Sequence, residues 1–270
     1  MKISLSGRII EVEYRYCQMS VPEFMRFASN IGYDAVELRA TQVTHETSME
    51  EASEYRRVAD DLGLDISCIN MTGIKDYESD LEIFKRYVDL AQTLRCEYLK
   101  TWNVDVTLLR KLCDYAGDYG LKLVAQTHTG GPLETIDSII KTCDDIGREN
   151  FGVIFDAANL FIAGEEYGAE AVKRLGRRIF QVSIQSLREA KDKSAEGVME
   201  YKGFYYERCL IGDEGGIDFY DVFRGLREIG FDGYVTIIEP ISKLMDNKEL
   251  ARYAYRKVKE LLVKAGYSIS

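Results

Sequence analysis

LKLVAQTHT, Leu121 to Thr129, is the stretch on which the reading of the fold turns. It is a short apolar run whose polar side chains Gln126 and His128 share one parity and come only at its end. A strand that delivers polar groups at its C-terminal end is how a parallel barrel or a doubly wound sheet assembles a site, because successive strand ends converge there.

The chain on either side repeats the pattern. Further strand-like runs are Lys2 to Ser6, Tyr33 to Arg39, Leu64 to Asn70, Glu97 to Trp102, Phe151 to Asp156, Ile179 to Gln185 and Gly233 to Glu239. Between them, helical spacing follows the capping residues Ser20 with Glu23, Ser48 with Glu51, Ser79 with Glu82, Asp105, Asp218, and Asp246 with Glu249. Helices are also predicted over Thr135 to Ile146 and around Ala169 to Leu175. Eight strands alternating with eight helices, at roughly 30 residues per pair, predict an α/β fold, a closed (β/α)8 TIM barrel. An open doubly wound sheet would normally carry a Gly-rich phosphate turn after an early strand, and the sequence has none. The spacing predicts one domain over residues 1–270, with a single long loop, about 186–217, after strand seven, where barrel lids sit.

Composition bounds the function. With 46% hydrophobic and 30% charged residues, the chain can bury a large core. A net charge of -10 with no basic cluster argues against a nucleic-acid partner. No apolar run is long enough for a membrane span or a secretory signal, so a cytoplasmic location is expected. Cys17, Cys68, Cys96, Cys113, Cys143 and Cys209 are scattered and form no CxxC pair, which reads as buried free thiols.

Parity along each strand selects the side chains that meet at the barrel mouth. They are Glu37 and Arg39 on strand two, Asn70 on strand three, and Lys100 and Trp102 on strand four. Strand five adds Gln126 and His128, strand six Asp156, strand seven Gln181, Ser183 and Gln185, and strand eight Glu239. Two carboxylates brought together at Asp156 and Glu239 raise each other's pKa unless a cation lies between them. That cation is either a hard divalent ion, Mg2+ or Mn2+, with Gln126 adding a carbonyl oxygen, or an ordinary ion-pair partner such as Lys100 or Arg39.

These strand ends resemble the xylose isomerase-like barrels, the sugar phosphate isomerase/epimerase superfamily. Its members include hydroxypyruvate isomerase, tagatose-type epimerases, inosose dehydratase, 3-dehydroshikimate dehydratase and endonuclease IV. The likeness covers nearly the whole chain and rests on GYDAVELR (Gly32 to Arg39), QTHT (Gln126 to Thr129), FDAANL (Phe155 to Leu160), VSIQS (Val182 to Ser186), GDEGGIDF (Gly212 to Phe219) and GFDGYVTIIEP (Gly230 to Pro240). The last two together are specific; the others are weak singly. The resemblance implies a metal held by residues from strands five to eight, which fall here on Gln126, Asp156, Ser183 and Glu239. Where the family carries a Glu this chain has Gln126, and where it carries a His it has Ser183, so the implied metal affinity falls. The family's His three residues after the strand-six Asp is Asn159. The family's epimerases move a proton between two opposed Glu, and an amide at Gln126 cannot do that work. The resemblance also implies a homodimer or homotetramer.

Three function classes follow. The first is an isomerase or epimerase acting on a small polyhydroxylated keto compound by proton transfer next to a carbonyl. The second is a dehydratase similar to those of the same family, and the third a silent sugar-binding barrel. Glu239 is the expected ligand or base, His128 the group that polarises a substrate oxygen or else bonds to backbone, and Lys100 an enolate stabiliser or Schiff-base former. Glu37, Arg39, Asn70, Trp102, Gln185 and Arg208 are the expected substrate contacts. Lys191, Lys193, Lys202, Tyr205 and Tyr206 of the lid join Arg208 as groups able to grip a phosphate or carboxylate, or else form a solvated loop. Endonuclease chemistry is excluded, because clustered metals need many His ligands and the chain has two.

Overall fold

The computed structural model describes residues 1–240 and 242–268. Eight parallel strands close into a barrel in sequential order: β1 (Lys2–Ser6), β2 (Ala35–Leu38), β3 (Asp65–Asn70), β4 (Tyr98–Thr101), β5 (Lys122–Gln126), β6 (Phe151–Asp156), β7 (Ile179–Ile184) and β8 (Tyr234–Ile237). The expected (β/α)8 architecture is therefore what forms. Helices α1 (Val21–Ile31), α2 (Met49–Leu62), α3 (Tyr77–Leu94), α4 (Val106–Gly117) and α5 (Ile136–Ile146) follow the first five strands. α6 (Ala157–Ala163) and α7 (Ala169–Leu175) follow β6, while α8 (Phe219–Glu228) and α9 (Asn247–Lys264) complete the ring.

Local chemistry explains most helix starts. Ser20 with Glu23 and Ser48 with Glu51 form reciprocal capping boxes, and Gly32 and Gly63 end those helices in the left-handed conformation. α3 departs from the sequence reading, because Asp76 and not Ser79 is its N-cap: Asp76 Oδ1 accepts from the amides of Glu78 and Ser79 at 3.1 and 3.0 Å. A carboxylate lying upstream in extended backbone takes these amides first, and the Ser79 hydroxyl donates to it instead. α6 is the other addition. It begins straight after β6 because Asp156, the last residue of the strand, caps it through the Asn159 amide at 3.1 Å.

The main core lies between sheet and helices, where one apolar cluster runs around the ring. The barrel interior is different. Register pairs Ser4 with Thr236 and Thr236 with Ser183, so hydroxyls face one another across β1, β8 and β7, while Cys68, Val124 and Ile154 fill the opposite side. Gly152 makes room there for Phe180, whose ring would lie 2.3 Å from an added Cβ. A polar interior of this kind carries a desolvation cost that an apolar barrel core avoids.

Two ornaments cover the mouth. The β1–α1 connection folds into a hairpin pairing Glu11–Val12 with Tyr16–Cys17, its tip residues Glu13 and Tyr14 at φ 48° and 59°. The long loop after β7 is not irregular but carries a three-stranded antiparallel sheet, Leu187–Glu189, Met199–Tyr201 and Phe204–Arg208. That lid is tied to the β5–α5 loop by Glu134, which accepts from the Tyr201 hydroxyl at 2.9 Å and pairs with Lys202 at 2.5 Å. No helix among the described residues is long and apolar enough to cross a membrane. All six cysteines are free, and burial pushes the Cys96 and Cys113 thiols up to about 12.

Candidate active site at the barrel mouth

Six side chains, five at barrel strand ends and Arg208 from the lid, are linked into one chain of contacts. Lys100 Nζ donates to Gln126 Oε1 at 2.6 Å, and Gln126 Nε2 donates to Asp156 Oδ2 at 2.5 Å. Gln185 Nε2 reaches the same Asp156 oxygen at 2.8 Å, and Arg208 Nη1 donates to Gln185 Oε1 at 3.4 Å. Arg208 also faces Glu239, 3.8 Å from Oε2, while the Ser186 amide donates to Glu239 Oε1 at 2.7 Å. Strands β4 to β8 each supply a member or the loop that carries one. Gly216, in the GDEGG turn, packs against Ser186, where an added Cβ would lie 3.2 Å from the hydroxyl. That close approach ties the most specific sequence motif to the position of Glu239.

Burial sets the electrostatics. Glu239 is almost wholly buried, and desolvation lifts its carboxyl to about 7 against the opposing pull of Arg208 and the Ser186 amide. Desolvation also raises Asp156, against its hydrogen bonds from Asn159, Gln185 and Gln126. Lys100 has no solvent exposure, and burial pushes its ammonium down while Glu37 opposes.

A second set gathers on the β1–β2 side. Arg39 Nε and Nη2 bond to Glu11 Oε2 at 3.3 and 3.2 Å, and Nη1 donates to Asn70 Oδ1 at 3.4 Å. Arg8 Nη1 lies 3.6 Å from the same Glu11 oxygen. Glu11 is thus the principal partner of Arg39. Glu37 is only 3.9 Å away, takes the Ser6 hydroxyl at 2.8 Å, and has an Oε2 with no partner among the described residues.

Between these sets lies a cavity of about 330 Å³ lined by Arg8, Tyr14, Arg39, Trp102, Gln126, His128, Asn159, Gln185, Tyr201 and Arg208, among others. Six of the expected residues therefore share one wall, Arg39, Trp102, Gln126, His128, Gln185 and Arg208, while Glu239 lies just behind it, between the lining residues Ile238 and Pro240 and 3.8 Å from Arg208. His128 lines the cavity, and its Nδ1–H donates to the Thr129 carbonyl at 3.0 Å, the backbone bond of its second reading. Trp102 stands half exposed, with Lys100 Nζ 4.6 Å from its ring.

Other expectations are corrected. Glu37 and Asn70 lie behind Arg39 and off the wall, because their strand positions fall inside the barrel. Lys100 sits under Gln126 for the same reason, which removes it from direct covalent reach of a ligand. Gln181 points deeper still, donating to the Ser67 carbonyl at 2.6 Å. Of the expected lid residues, Lys193 lies 4.9 Å over Tyr205, Lys202 pairs with Glu134, and Tyr206 is buried and bonds to the Ile162 carbonyl, so that among these only Arg208 lines the cavity, beside Met199, Glu200 and Tyr201 of the same lid. Arg8, Glu11, Tyr14 and Tyr201 are not singled out by the sequence, which marks Asn159 only as the residue in place of the family's His. A polar run after strand one, GRIIEVEYR, was the available signal for the first three.

The donor set tests the metal. Asp156 has both oxygens committed to N–H donors, Gln126 turns its carbonyl to an ammonium, and Ser183 Oγ is buried without a partner among the described residues. No cluster of three or more His, Cys, Asp or Glu side chains among the described residues can hold a metal ion. The residues at 126, 156, 183 and 239 do not fit a divalent ion, because a fixed positive charge and amide donors occupy the surroundings that its ligands need. Protein dialysed against excess Mn2+ and then buffer is expected to retain well under one metal per chain by elemental analysis. One tightly held equivalent, lost in Asp156→Ala, would contradict this.

The chain is thus a closed (β/α)8 barrel whose polar strand ends converge on a lidded cavity. A family model described as xylose isomerase-like TIM barrel matches residues 25–261, and the chain belongs to that family. Inosose dehydratase of Clostridium botulinum (strain Alaska E43 / Type E3) is 28% identical over 138 residues, 50% of this chain and 46% of that protein. The chain thus spans about half the length of this curated relative. Among solved structures, the IolI protein with a binding zinc atom superposes with a TM-score of 0.75 at 19% identity, covering 100% of both chains. D-psicose 3-epimerase in the presence of D-fructose gives 0.75 at 16% identity over 97% of this chain and 99% of that one. At these identities the two structures establish the shared fold.

Proposed function

We propose that this protein removes a proton next to the carbonyl of a small polyhydroxylated keto compound and completes the reaction as a dehydration. The observation that carries the reading is the asymmetry of the site. Glu239 is a buried carboxyl near neutrality with one oxygen held by a backbone amide and the other 3.8 Å from Arg208, whereas the place of a second base is taken by Gln126, locked between Lys100 and Asp156.

One base suffices for β-elimination. Glu239 takes the proton from the carbon next to the carbonyl, and the C–H electrons form an enolate whose oxygen is stabilised by N–H donors at the mouth, Arg208 and Gln185. The enolate then re-forms the carbonyl as the bond to the β-hydroxyl breaks. The proton held by Glu239 leaves with that hydroxyl, and the net change is loss of one water. Inversion at a carbon would instead need a second proton donor on the opposite face, which an amide does not supply. The similarity to inosose dehydratase supports the lyase outcome. The fold shared with D-psicose 3-epimerase keeps a one-base isomerisation as the second reading.

The test is a panel of keto polyols incubated with the protein in D2O. Exchange at the carbon next to the carbonyl, with a product lighter by one water, is expected. Exchange without water loss points to the isomerase, and no exchange with any compound overturns the reading. Because the base must be ionised, kcat/KM should rise with pH through about 7 and level off above it. Arg208 lowers the Glu239 pKa, so Arg208→Met should move that limb to higher pH; an unmoved limb would assign it to another group.

A further inference from the structure

The cavity wall runs against the charge of the molecule. The chain carries a net charge of -10, yet three guanidiniums, Arg8, Arg39 and Arg208, line the mouth. Among the wall residues only Glu200 is acidic. The carboxylates that pair with Arg8 and Arg39 lie beneath them, Glu11 and Glu37 being almost or wholly buried. On the β1–β2 side charge is therefore layered, with Glu11 and Glu37 inside and Arg8 and Arg39 facing the cavity.

Geometry aims these cations inward. Arg8 and Arg39 share a single Glu11 oxygen. Arg8 also donates Nη1 to the Glu11 carbonyl at 3.1 Å and keeps Nε and Nη2 without a hydrogen-bond partner among the described residues. Arg39 uses one N–H of each nitrogen on Glu11 and Asn70 and keeps two of its five donors. The Tyr14 ring lies 4.2 Å from Arg8 Cζ and 6.0 Å from Arg39 Cζ, which holds both planes beside the cavity. Arg208 arrives from the lid, on the other side, and its contacts are the long ones at 3.4 and 3.8 Å. Neutral hydroxyls do not require three desolvated arginines; planar anions do, because the guanidinium fork matches their paired oxygens.

Resting on the proposed enolising function, we infer that the substrate carries an anionic group, a carboxylate or a phosphate monoester, received by Arg8, Arg39 and Arg208. Trp102 and the amides Gln126 and Gln185 are left to face the hydroxylated carbons. The keto group then lies toward Glu239, since Arg208 stands beside both the anion and that carboxyl.

Three probes on a related hydroxylated carbon chain separate the sources: D-fructose 6-phosphate, D-gluconate and D-fructose, each titrated calorimetrically into the intact protein. At least one anionic probe should bind about tenfold or more tightly than D-fructose, in keeping with a charge-assisted hydrogen-bond pair. Its affinity should fall with added salt. Preference for the phosphate or for the carboxylate names the group. Arg8→Gln should weaken the preferred anion about tenfold and leave D-fructose unchanged, whereas Arg208→Gln should weaken the anion about tenfold and D-fructose less, with Arg208→Lys recovering only part. D-fructose binding as tightly as both anions, no heat with any anionic probe at millimolar concentration, or Arg variants that bind the anion undiminished would each overturn the inference. Binding and chemistry fail separately. Deuterium exchange on neutral keto sugars without anion binding sinks this inference alone, whereas anion binding without exchange on any compound sinks the enolising function alone.

Discussion

Replacing Glu239 by Gln is expected to lower solvent-deuterium exchange by about a thousandfold, the middle of the range for removing a positioned general base. The isosteric amide keeps the Ser186 contact, since its carbonyl can still accept that backbone N–H. It also removes a buried carboxyl whose charged form is disfavoured by desolvation, so the thermal midpoint should hold or rise. Stability and activity therefore move apart. A variant that retained more than a tenth of the exchange rate would shift the base to another residue, His128 being the cavity group next in line. Asp156→Asn is the companion control. Asp156 is wholly buried behind Gln126 and Gln185 and reaches substrate only through them, so its loss should disturb both folding and rate.

The largest stability effect is expected at Lys100. Its ammonium has no solvent exposure, donates to Gln126 at 2.6 Å and supplies positive charge that opposes the raised pKa of Asp156. Lys100→Met keeps most of the volume but leaves a buried carboxylate short of its cation and the Gln126 carbonyl without its donor. Losing one partner of a buried charge arrangement costs about 3–5 kcal/mol. In a chain of this size that is a fall in thermal midpoint of roughly 10 °C. Adding Asp156→Asn to Lys100→Met should recover part of the loss, because one of the two buried carboxyls that face Lys100 is then neutral, Glu37 being the other and the larger influence. If the double variant were less stable than the sum of the two singles, the coupling between Lys100 and Asp156 would have to be abandoned. Calorimetric melting of the four proteins makes the comparison.

Those two positions show why some of the site was readable in advance and some was not. Parity placed Lys100, Gln126, Asp156 and Gln185 on the inner face of the barrel, and in the structure they form one chain of hydrogen bonds. Parity did not supply depth. Whether an inward side chain reaches the cavity depends on the level at which its strand ends, so Lys100 and Glu37 lie beneath the wall while Arg39 and Gln126 form it. Residues outside strands were harder still. Glu11 and Tyr14 reach the site because a hairpin after β1 folds back over the mouth, and Tyr201 because the lid is a small sheet anchored on Glu134.

By itself the sequence determined the barrel. Capping residues, helical spacing and short apolar strands are local signals, and eight repeats of them leave little other architecture to form. Set beside the xylose isomerase-like pattern it resembles, it also implied what the site lacks, an acid at Gln126 and an imidazole at Ser183, since a residue's chemical type needs no coordinates. Only the tertiary structure decided which charges meet. Arg39 takes Glu11, 28 residues away, in place of the nearer Glu37, and three arginines from separate loops turn to one cavity. Ion-pair choice depends on distance and desolvation, and both are set by packing between elements that no local pattern encodes.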